Sequence, residues 1–286
     1  MPASSANLGP GYDVLAAALS LELAVEVTEG DRFEVDVGDQ PLPRDRGNLC
    51  VRAFESLHPA DGLRFEIRSD IPLARGLGSS AAAIVAGLMA ADHMYELGLE
   101  RDELYAHAVE IEGHADNVGA ALYGGFVVCP SADGAGGRPA PVRLDPPQGV
   151  EGVVVVPREE VSTAAARAAM PDAIDVPDAV ANVAAASQLV LGIERSDLTL
   201  IARGLEDRLH QPARRELYRR SLDLVAGATE LGAIGATISG AGPTVLLWSF
   251  WQDTGKVASA AEAAAAGWAD VLRVPFSPLG ADVAEL

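Results

Sequence analysis

Hydrophobic and polar residues alternate along much of the first quarter of the chain. The alternation runs through residues 21–27 and again through residues 33–37, with Gly30 and Asp31 between them. A period of two residues is typical of a strand with one buried face, so we expect an antiparallel pair of strands here. Residues 63–68 repeat the pattern and predict a further strand.

Longer apolar segments follow. Residues 80–97 are rich in alanine and predict a long helix, and residues 101–112 predict a second helix with acidic residues near its start. Residues 126–128 predict a short strand, and the continuously apolar residues 153–156 predict a fully buried one. Further helices are expected over residues 162–169, 176–191, 197–208, 214–231 and 254–266, and further strands over residues 236–238, 244–249 and 270–274.

Strands and helices thus occur in both halves of the chain, and the strand patterns favour antiparallel pairing. This predicts an α+β protein with two lobes. Residues 131–149 are weakly hydrophobic and rich in glycine and proline, as expected of a linker loop. A chain of 286 residues is long enough for two units with a core each. We therefore expect an N-terminal domain over residues 1–149 and a C-terminal domain over residues 150–286.

The composition indicates a folded and strongly acidic protein. Hydrophobic residues make up 49% of the chain, which excludes disorder as its main state. The formal net charge of −20 disfavours nucleic acid and anionic membrane surfaces as partners, because both would be repelled. Lys256 is the only lysine among 21 basic residues. This bias suggests a halophilic protein, in which salt mutes self-repulsion, although a GC-rich genome could also replace lysine by arginine.

The sequence carries no signal for export. Cys50 and Cys129 are too few for a disulfide framework, and residues 1–11 lack the basic and apolar regions of a signal peptide. No uninterrupted apolar run reaches the roughly 18 residues of a membrane-spanning helix. We expect a cytoplasmic protein without a membrane partner.

The segment Arg75-Gly76-Leu77-Gly78-Ser79-Ser80-Ala81 joins a predicted strand to a predicted helix. Its glycines allow a ligand to approach the backbone, and the start of the helix presents unpaired N–H groups to an anion. The two serine hydroxyls could hold a phosphate oxygen or Mg²⁺. The segment lacks the lysine of a Walker A motif. It predicts a phosphate-binding loop, and a capped helix after a flexible turn is the alternative.

Two further segments are rich in small residues and rigid turns. Residues 2–13 read PASSANLGPGYD, and Gly240, Ala241 and Gly242 lie in the segment SGAGPT. Together with residues 75–81, they resemble the three signature motifs of the GHMP small-molecule kinases, in the same order. The resemblance implies ATP as phosphoryl donor and a two-lobed fold, with a ribosomal protein S5 domain 2-like N-terminal lobe and a ferredoxin-like C-terminal lobe.

Within that family, five segments resemble the homoserine kinases. They are the opening motif (with Tyr12 in place of the usual phenylalanine), EGHADNV at residues 112–118, YGGF at residues 123–126, residues 162–171 and HQPAR at residues 210–214. The resemblance implies transfer of the ATP γ-phosphoryl group to the side-chain hydroxyl of L-homoserine, in threonine biosynthesis. It also implies a homodimer.

Homoserine is a zwitterion, so its site needs acceptors for an ammonium and donors for a carboxylate. By resemblance, Asp13 with Asn7 and Asn117 would hold the amino group and orient the hydroxyl. Arg167 and Arg214 would bind the carboxylate, a task that suits the planar guanidinium. A surface ion pair is the alternative for each arginine.

Magnesium would be held by Ser80 and by a glutamate at the end of the second helix. Glu112 is the first candidate and Glu110 its competitor. By resemblance, Asn117 occupies the position at which mevalonate-kinase-like members carry an aspartate that acts as the base. We therefore expect catalysis by positioning and charge neutralisation. The neighbouring Asp116 is a candidate base, but we expect it to fix the turn through bonds to backbone N–H groups. We expect His114 to order the loop rather than to transfer protons.

Other readings stay open at this point. Shikimate, pantoate and mevalonate kinases belong to the same superfamily, although a substrate without an amine gains little from Asp13. A catalytically silent sensor would have lost the Mg²⁺ ligands, which are present. Homoserine kinases usually carry a short strand before the first motif, which here starts at residue 2. We therefore expect either an upstream start codon or an N-terminal lobe without that edge strand.

Overall fold

Two antiparallel-rich sheets, one from each half of the chain, form the frame of the protein in the computed structural model, which describes residues 1–130 and 139–283. The first sheet has the strand order β3-β4-β2-β5-β6, and β1 pairs separately with β2. Its strands are β1 (Pro2–Ala6), β2 (Leu15–Glu29), β3 (Glu34–Asp36), β4 (Leu63–Ser69), β5 (Phe126–Val128) and β6 (Val142–Leu144). The expected α+β class is confirmed.

The predicted pairing of the two alternating segments is wrong. Strands β2 and β3 do not pair, because β4 lies between them, antiparallel to β2 and parallel to β3. Phe65 and Ile67 of β4 are buried there and lie opposite Val27 and Val25 of β2. Alternation indicates which face of a strand is buried, but a period of two says nothing about which strand is its neighbour.

Part of the predicted linker is also a strand. Residues 131–138 lie outside the described residues, but Val142–Leu144 forms β6, an edge strand antiparallel to β5. It has only three residues, of which the first two are exposed, so its Val-Arg-Leu alternation is too short to identify a strand. A strand of this kind depends on its neighbour rather than on its own pattern.

Helices cover the first sheet on the side of the site. They are α1 (Leu49–Glu55), α2 (Ser79–Met94), α3 (Arg101–Glu112) and α4 (Ala115–Tyr123). The predicted bounds of α3 are confirmed. Helix α2 starts one residue earlier than predicted and ends at Met94, while α1 and α4 were not predicted. Eight of the 16 residues of the alanine-rich α2 are buried, and the helix packs against β2 and its neighbouring helices.

The second sheet is antiparallel throughout, with the order β10-β7-β9-β8. Its strands are β7 (Val150–Pro157), β8 (Gly235–Ile238), β9 (Val245–Phe250) and β10 (Ala269–Val274). The helices of this half are α5 (Thr163–Ala168), α6 (Val176–Arg195), α7 (Leu198–Gly204), α8 (His210–Ala213), α9 (Arg219–Ala226) and α10 (Thr254–Ala264), with a 3₁₀ turn over Ala228–Leu231.

The predicted helices over residues 197–208 and 214–231 are both too long. The Asp207 carboxylate accepts hydrogen bonds from the N–H groups of Leu209, His210 and Gln211, which ends the α7 region and starts α8. A side chain that bonds to following N–H groups starts a new helix at that point. The second predicted helix is divided at Gly227, between α9 and the 3₁₀ turn.

The last described residues return to the first sheet. Ser277 donates its N–H to Ala18 O, and Gly125 donates to Ser277 O. The Phe276 ring lies 4.8 Å from Phe126 and 5.1 Å from Trp248, so aromatic packing joins the two sheets in one core. We propose the boundary between the two lobes at residues 149/150, with this returning segment completing the first lobe.

Helix α6 is long and apolar enough, by length and composition, to cross a membrane. Core helices of water-soluble proteins pass the same test. Here α6 packs on α7 through buried residues that include Leu189 and Ile193, and its buried Asn182 donates to Asp207. Its outer face, however, is exposed at Val176, Val180 and Val183.

Candidate active site

A polar cavity of about 120 Å³ lies where the two halves of the chain meet. Its lining includes every site residue predicted from the sequence except Ala81, Gly242 and Glu110. It also includes four residues that were not predicted: Ala6, Tyr12, Ala74 and Thr163. Residues separated by more than 200 positions therefore share one small volume.

Direct hydrogen bonds join the three glycine-rich segments. Asn7 Nδ2 donates to Gly240 O at 2.7 Å, which joins the first segment to the third. Ser239 Oγ donates to Gly76 O at 2.7 Å, and Ser4 N donates to Leu77 O at 3.1 Å. The loops are thus fixed against one another through backbone groups, as a small, preorganised site requires.

Glycine is required in the second segment for reasons of space and of backbone conformation. Gly76 and Gly78 have φ angles of 78° and 67°, in the left-handed region. A Cβ atom at Gly76 would collide with Ser239 O, and one at Gly78 would collide with the Ser4 hydroxyl. The close approach of the three segments therefore depends on the absence of these side chains.

Helix α2 begins directly after this loop and has no side-chain cap. Within the described chain, the backbone N–H groups of Ser79, Ser80 and Ala81 have no acceptor. Unpaired N–H groups and the helix dipole together favour an anion at this end. The start of α2 therefore has the geometry of an anion-binding cradle at the edge of the cavity.

The Arg75 guanidinium does not point freely into this cradle. It donates to Pro157 O at 2.8 Å, to Arg158 O at 2.9 Å and to Leu73 O at 3.1 Å, and it pairs with Glu160 at 2.8 Å. Arg75 therefore ties the loop to the end of β7, although it also lines the cavity.

A hydroxyl and a carboxylate meet beside the cradle. Ser80 Oγ donates to Glu112 Oε1 at 2.9 Å, and His114 Nδ1 lies 3.2 Å from the same oxygen. The hydrogen bond to Glu112 raises the pKa of His114. Glu110, the alternative glutamate, is exposed and lies outside the cavity lining. Two hard oxygen donors next to a phosphate cradle fit Mg²⁺, which binds few protein oxygens and completes its shell with phosphate and water.

The first turn of α4 fixes the Asn117 amide. Asp116 Oδ1 accepts from Asn117 N at 2.8 Å and from Asn117 Nδ2 at 3.3 Å, while Ser4 Oγ donates to Asn117 Oδ1. Burial raises the pKa of Asp116 to about 6, and the nearby Asp13 adds to the shift. Asp116 thus orients its neighbour through the turn.

A second set of charged groups, contributed by the first segment and by α5, also lines the cavity. Arg167 Nη1 and Nη2 donate to the two carboxylate oxygens of Asp13 at 3.1 and 3.2 Å. Asp13 has a φ angle of 58°, and its N–H donates to Asn7 Oδ1 at 3.0 Å. This strained turn aims the carboxylate into the cavity, where the ion pair stays partly exposed.

Arg214 is buried, with 2% of its surface exposed. Its guanidinium donates to Ala166 O, to His210 Nδ1 and to Gly240 O, at 3.0, 3.1 and 3.3 Å. Within the described residues, no carboxylate lies at ion-pair distance from it. A buried cation with only neutral acceptors is costly unless an anion joins it. Arg214 is therefore suited to bind an anion that enters the cavity.

Tyr12 and Thr163 are the residues that sequence reasoning missed. The Tyr12 ring lies 5.3 Å from the Arg214 guanidinium carbon and 6.0 Å from that of Arg167, within cation–π distance. Its departure from the usual phenylalanine was the available signal. Thr163 starts α5 directly after its cap, Ser162, and its place in the motif-like segment 162–171 was the available signal.

Comparison with known proteins identifies the family of this chain. The family model described as GHMP kinases N terminal domain matches residues 48–125, and the one described as GHMP kinases C terminal matches residues 189–270. Together they cover more than half of the chain, which therefore belongs to the GHMP kinases.

The more specific relatives are homoserine kinases. The chain is 42% identical to the homoserine kinase of Parasynechococcus marenigrum over 91% of this chain and 86% of that protein. It is 43% identical to a Synechococcus homoserine kinase, over 86% and 81% of the two chains. The crystal structure of a homoserine kinase from Cytophaga hutchinsonii aligns with a TM-score of 0.85 at 32% identity, covering 98% and 94% of the two chains. The two-lobed GHMP kinase fold implied by the sequence motifs is confirmed.

Proposed function

We propose that this protein transfers the γ-phosphoryl group of ATP to the side-chain hydroxyl of L-homoserine, giving O-phospho-L-homoserine for threonine biosynthesis. The observation that carries the proposal is the set of charged and hydrogen-bonding groups that line one cavity. The N-terminus of α2, suited to an anion, and the charged side chains of Asp13, Arg167 and Arg214 line the same cavity. A phosphate donor and a zwitterionic acceptor are the pair of ligands that such a cavity fits.

ATP would extend from this cavity into a second one. The second cavity has a volume of about 270 Å³ and a mostly apolar lining that includes Leu23, Leu49 and Ile67. It shares Ser79 and Ser80 with the polar cavity. An aromatic base in the apolar cavity would place its phosphate chain over the start of α2.

The amino-acid acceptor would lie between the charged groups and Asn117. Its ammonium would face Asp13 and Asn7, and its carboxylate would face Arg167 and the unneutralised Arg214. The Asn117 amide, held by Asp116 and Ser4, would orient the hydroxyl toward the phosphoryl group. Positioning and charge neutralisation are sufficient for phosphoryl transfer, which requires little covalent chemistry from the protein.

Mg²⁺ would be held by Ser80 and Glu112, and when bound it neutralises charge on the transferring phosphoryl group. Glu112→Gln should lower kcat by about 100-fold or more, because it removes a carboxylate ligand. Glu110→Gln is a matched control from the same helix and should leave kcat within about twofold. Equal effects of the two substitutions would overturn the assignment to Glu112.

The activity is tested by coupled ADP release from Mg-ATP with homoserine, shikimate, pantoate and mevalonate as separate acceptors. We expect turnover with homoserine and a kcat/KM at least about 100-fold lower for each acceptor that lacks an amine. Faster turnover of another acceptor would retain the phosphate site but overturn the assignment of the ammonium subsite.

A homodimer in the cytoplasm, with neither nucleic acid nor a membrane as partner, completes the proposal. The exposed apolar stripe of α6 (Val176, Val180 and Val183) supports a self-contact, since isolated apolar stripes of this kind favour association. Light scattering coupled to size exclusion should give twice the chain mass, and Val180→Glu with Val183→Glu should reduce it to the monomer mass. A monomeric parent protein would overturn the dimer.

A further inference from the structure

The imidazole of His210 is fully buried behind Arg214, outside the cavity lining. Its Nε2 lies 2.9 Å from Gly9 O, and its Nδ1 lies 3.1 Å from Arg214 Nη1. A carbonyl oxygen can only accept a hydrogen bond and a guanidinium can only donate one. Nε2 therefore carries the proton and Nδ1 is the bare acceptor, so His210 is neutral and in a single tautomer.

The surroundings favour this neutral form. Burial lowers the pKa of His210, and the Arg214 cation beside Nδ1 acts in the same direction. The Asp207 carboxylate lies 3.6 Å from Nε2, but it is already held by the N–H groups of Leu209, His210 and Gln211. The uncharged imidazole thus connects a hydrogen-bond acceptor, Gly9 O, with a hydrogen-bond donor, Arg214 Nη1.

A neutral acceptor has a specific advantage at this position. A carboxylate would also orient Arg214, but it would form an internal ion pair and cancel the charge that a ligand anion needs. The partners of Arg214 at this site are the neutral Ala166 O, Gly240 O and His210 Nδ1. The guanidinium is therefore fixed in direction while its charge stays available to the cavity.

His210 also fixes a distance. Its Nε2–H group bonds to Gly9, in the same turn that carries Asn7 and Asp13. Its Nδ1 bonds to Arg214. The side chain therefore links the loop of the ammonium subsite to the residue of the carboxylate subsite.

We propose that His210 is a positioning residue for acceptor binding: its neutral imidazole aims Arg214 at the substrate carboxylate and sets the spacing between the two charged subsites. The proposal rests on the proposed function, because it assumes an acceptor with an ammonium and a carboxylate.

The test compares His210→Gln, His210→Ala and His210→Glu. Glutamine retains a neutral acceptor and a donor, so its KM for homoserine should stay within about fivefold of the parent. Alanine removes the acceptor and glutamate cancels the charge, so each should raise that KM by about 30-fold or more. kcat and the KM for ATP should change by less than about threefold, as expected when binding of the acceptor is weakened equally in the ground state and the transition state.

A second acceptor distinguishes a loss of Arg214 positioning from a general disruption of the active site. 3-Aminopropan-1-ol is homoserine without its carboxylate, and it is assayed as an acceptor or as an inhibitor competing with homoserine. Its kcat/KM or Ki should be equal in all variants, because it makes no use of Arg214. His107→Ala, on the exposed side of α3, is the control for histidine loss elsewhere.

Two results would overturn the proposal: equal losses for homoserine and 3-aminopropan-1-ol, or a Gln variant as impaired as the Ala variant. If His210→Glu does not fold, the comparison of Gln with Ala still decides. Failure of the parent protein to phosphorylate homoserine at all would instead refute the proposed function.

Discussion

Asp13 and Arg167 carry the two charges that a zwitterion would seek, and they pair with each other in the structure. Their two hydrogen bonds measure 3.1 and 3.2 Å. A ligand with both charges exchanges this one ion pair for two. A ligand with a carboxylate alone must take Arg167 from Asp13 and leave Asp13 without a partner. Under the proposed function, the ion pair would thereby discriminate against singly charged acceptors before phosphoryl transfer.

The first prediction concerns Asp13→Asn and 4-hydroxybutanoate, which is homoserine without its amine. The substitution should lower kcat/KM for homoserine by about 30-fold, because the ammonium loses its carboxylate. It should raise kcat/KM for 4-hydroxybutanoate by about three- to tenfold, because Arg167 is released. Steady-state kinetics with both acceptors measure the switch.

Asp178→Asn is the matched control for that experiment. Asp178 pairs with Arg208 at 3.5 Å, and its side chain has the same 42% exposure as that of Asp13. Asp178→Asn should leave kcat/KM unchanged for both acceptors. A parallel loss for both acceptors in Asp13→Asn would show that Asp13 acts on the reaction rather than on selection.

The second prediction concerns Asp116, whose pKa is raised to about 6 mainly by burial. A raised carboxyl pKa favours the protonated folded form, so its contribution to stability is full below the ordinary pKa of 3.8 and is lost as pH rises through 6. Asp116→Asn should therefore raise the free energy of unfolding by about 1–3 kcal/mol at pH 8. The gain should vanish below pH 4, and thermal melts across that range measure it.

The same substitution separates two roles. An asparagine Oδ1 can still accept from Asn117 N, so kcat should stay within about tenfold if Asp116 fixes the turn. Loss of a general base would cost about 100- to 10,000-fold. A loss of that size, in a folded variant, would refute catalysis by positioning alone.

At the scale of elements, the phosphate loop depends on close backbone packing. Gly78 caps α2 in the left-handed region, and a Cβ there would meet the Ser4 hydroxyl and Asn117 Oδ1. Gly98, between α2 and α3, has a similar φ of 70° but nothing within 4 Å of a Cβ. The two glycines therefore share the conformational requirement and differ only in crowding.

The third prediction follows from that difference. Gly98→Ala should cost about 1 kcal/mol of unfolding free energy and leave kcat/KM unchanged. Gly78→Ala should lower the unfolding free energy by the same amount and should also displace Ser4 and Asn117. That displacement should lower kcat/KM by about 100-fold or more. Chemical denaturation and steady-state assays measure both. Similar activity in the two variants would contradict a role for the close packing.

Local pattern was enough to predict elements such as α3 and β5, whose bounds are confirmed. It did not predict that β4 separates β2 from β3, nor the short strand β6, because partners in a sheet are chosen by packing across the whole lobe. For the candidate site, motif resemblance indicated segments that the structure brings together around one cavity. It could not indicate that Arg75 is tied to β7, that Arg214 lacks an anionic partner, or that His210 stands behind it. Those are properties of three-dimensional neighbours.

At the scale of the whole molecule, the dominant quantity is charge. The chain has a formal net charge of −20, and its described ion pairs lie mostly at the exposed surface, where each contributes little. Self-repulsion among the unpaired carboxylates opposes folding, and its range is set by salt. The screening length falls from about 10 Å at 0.1 M to about 3 Å at 1 M.

The fourth prediction is that melting temperature and homoserine-dependent activity rise together between 0.1 and 2 M KCl, with a gain in Tm of about 5 °C or more. A variant combining Glu159→Gln, Asp172→Asn, Glu194→Gln and Glu206→Gln lowers the net charge from −20 to −16, since each change removes one exposed negative charge. Reduced repulsion should make this variant more stable at low salt and less sensitive to KCl. Sucrose, which stabilises proteins without screening charge, should leave the difference between variant and parent unchanged. A parent protein with the same Tm at both salt concentrations would contradict an adaptation to salt, and the scarcity of lysine would then reflect codon composition rather than solvent.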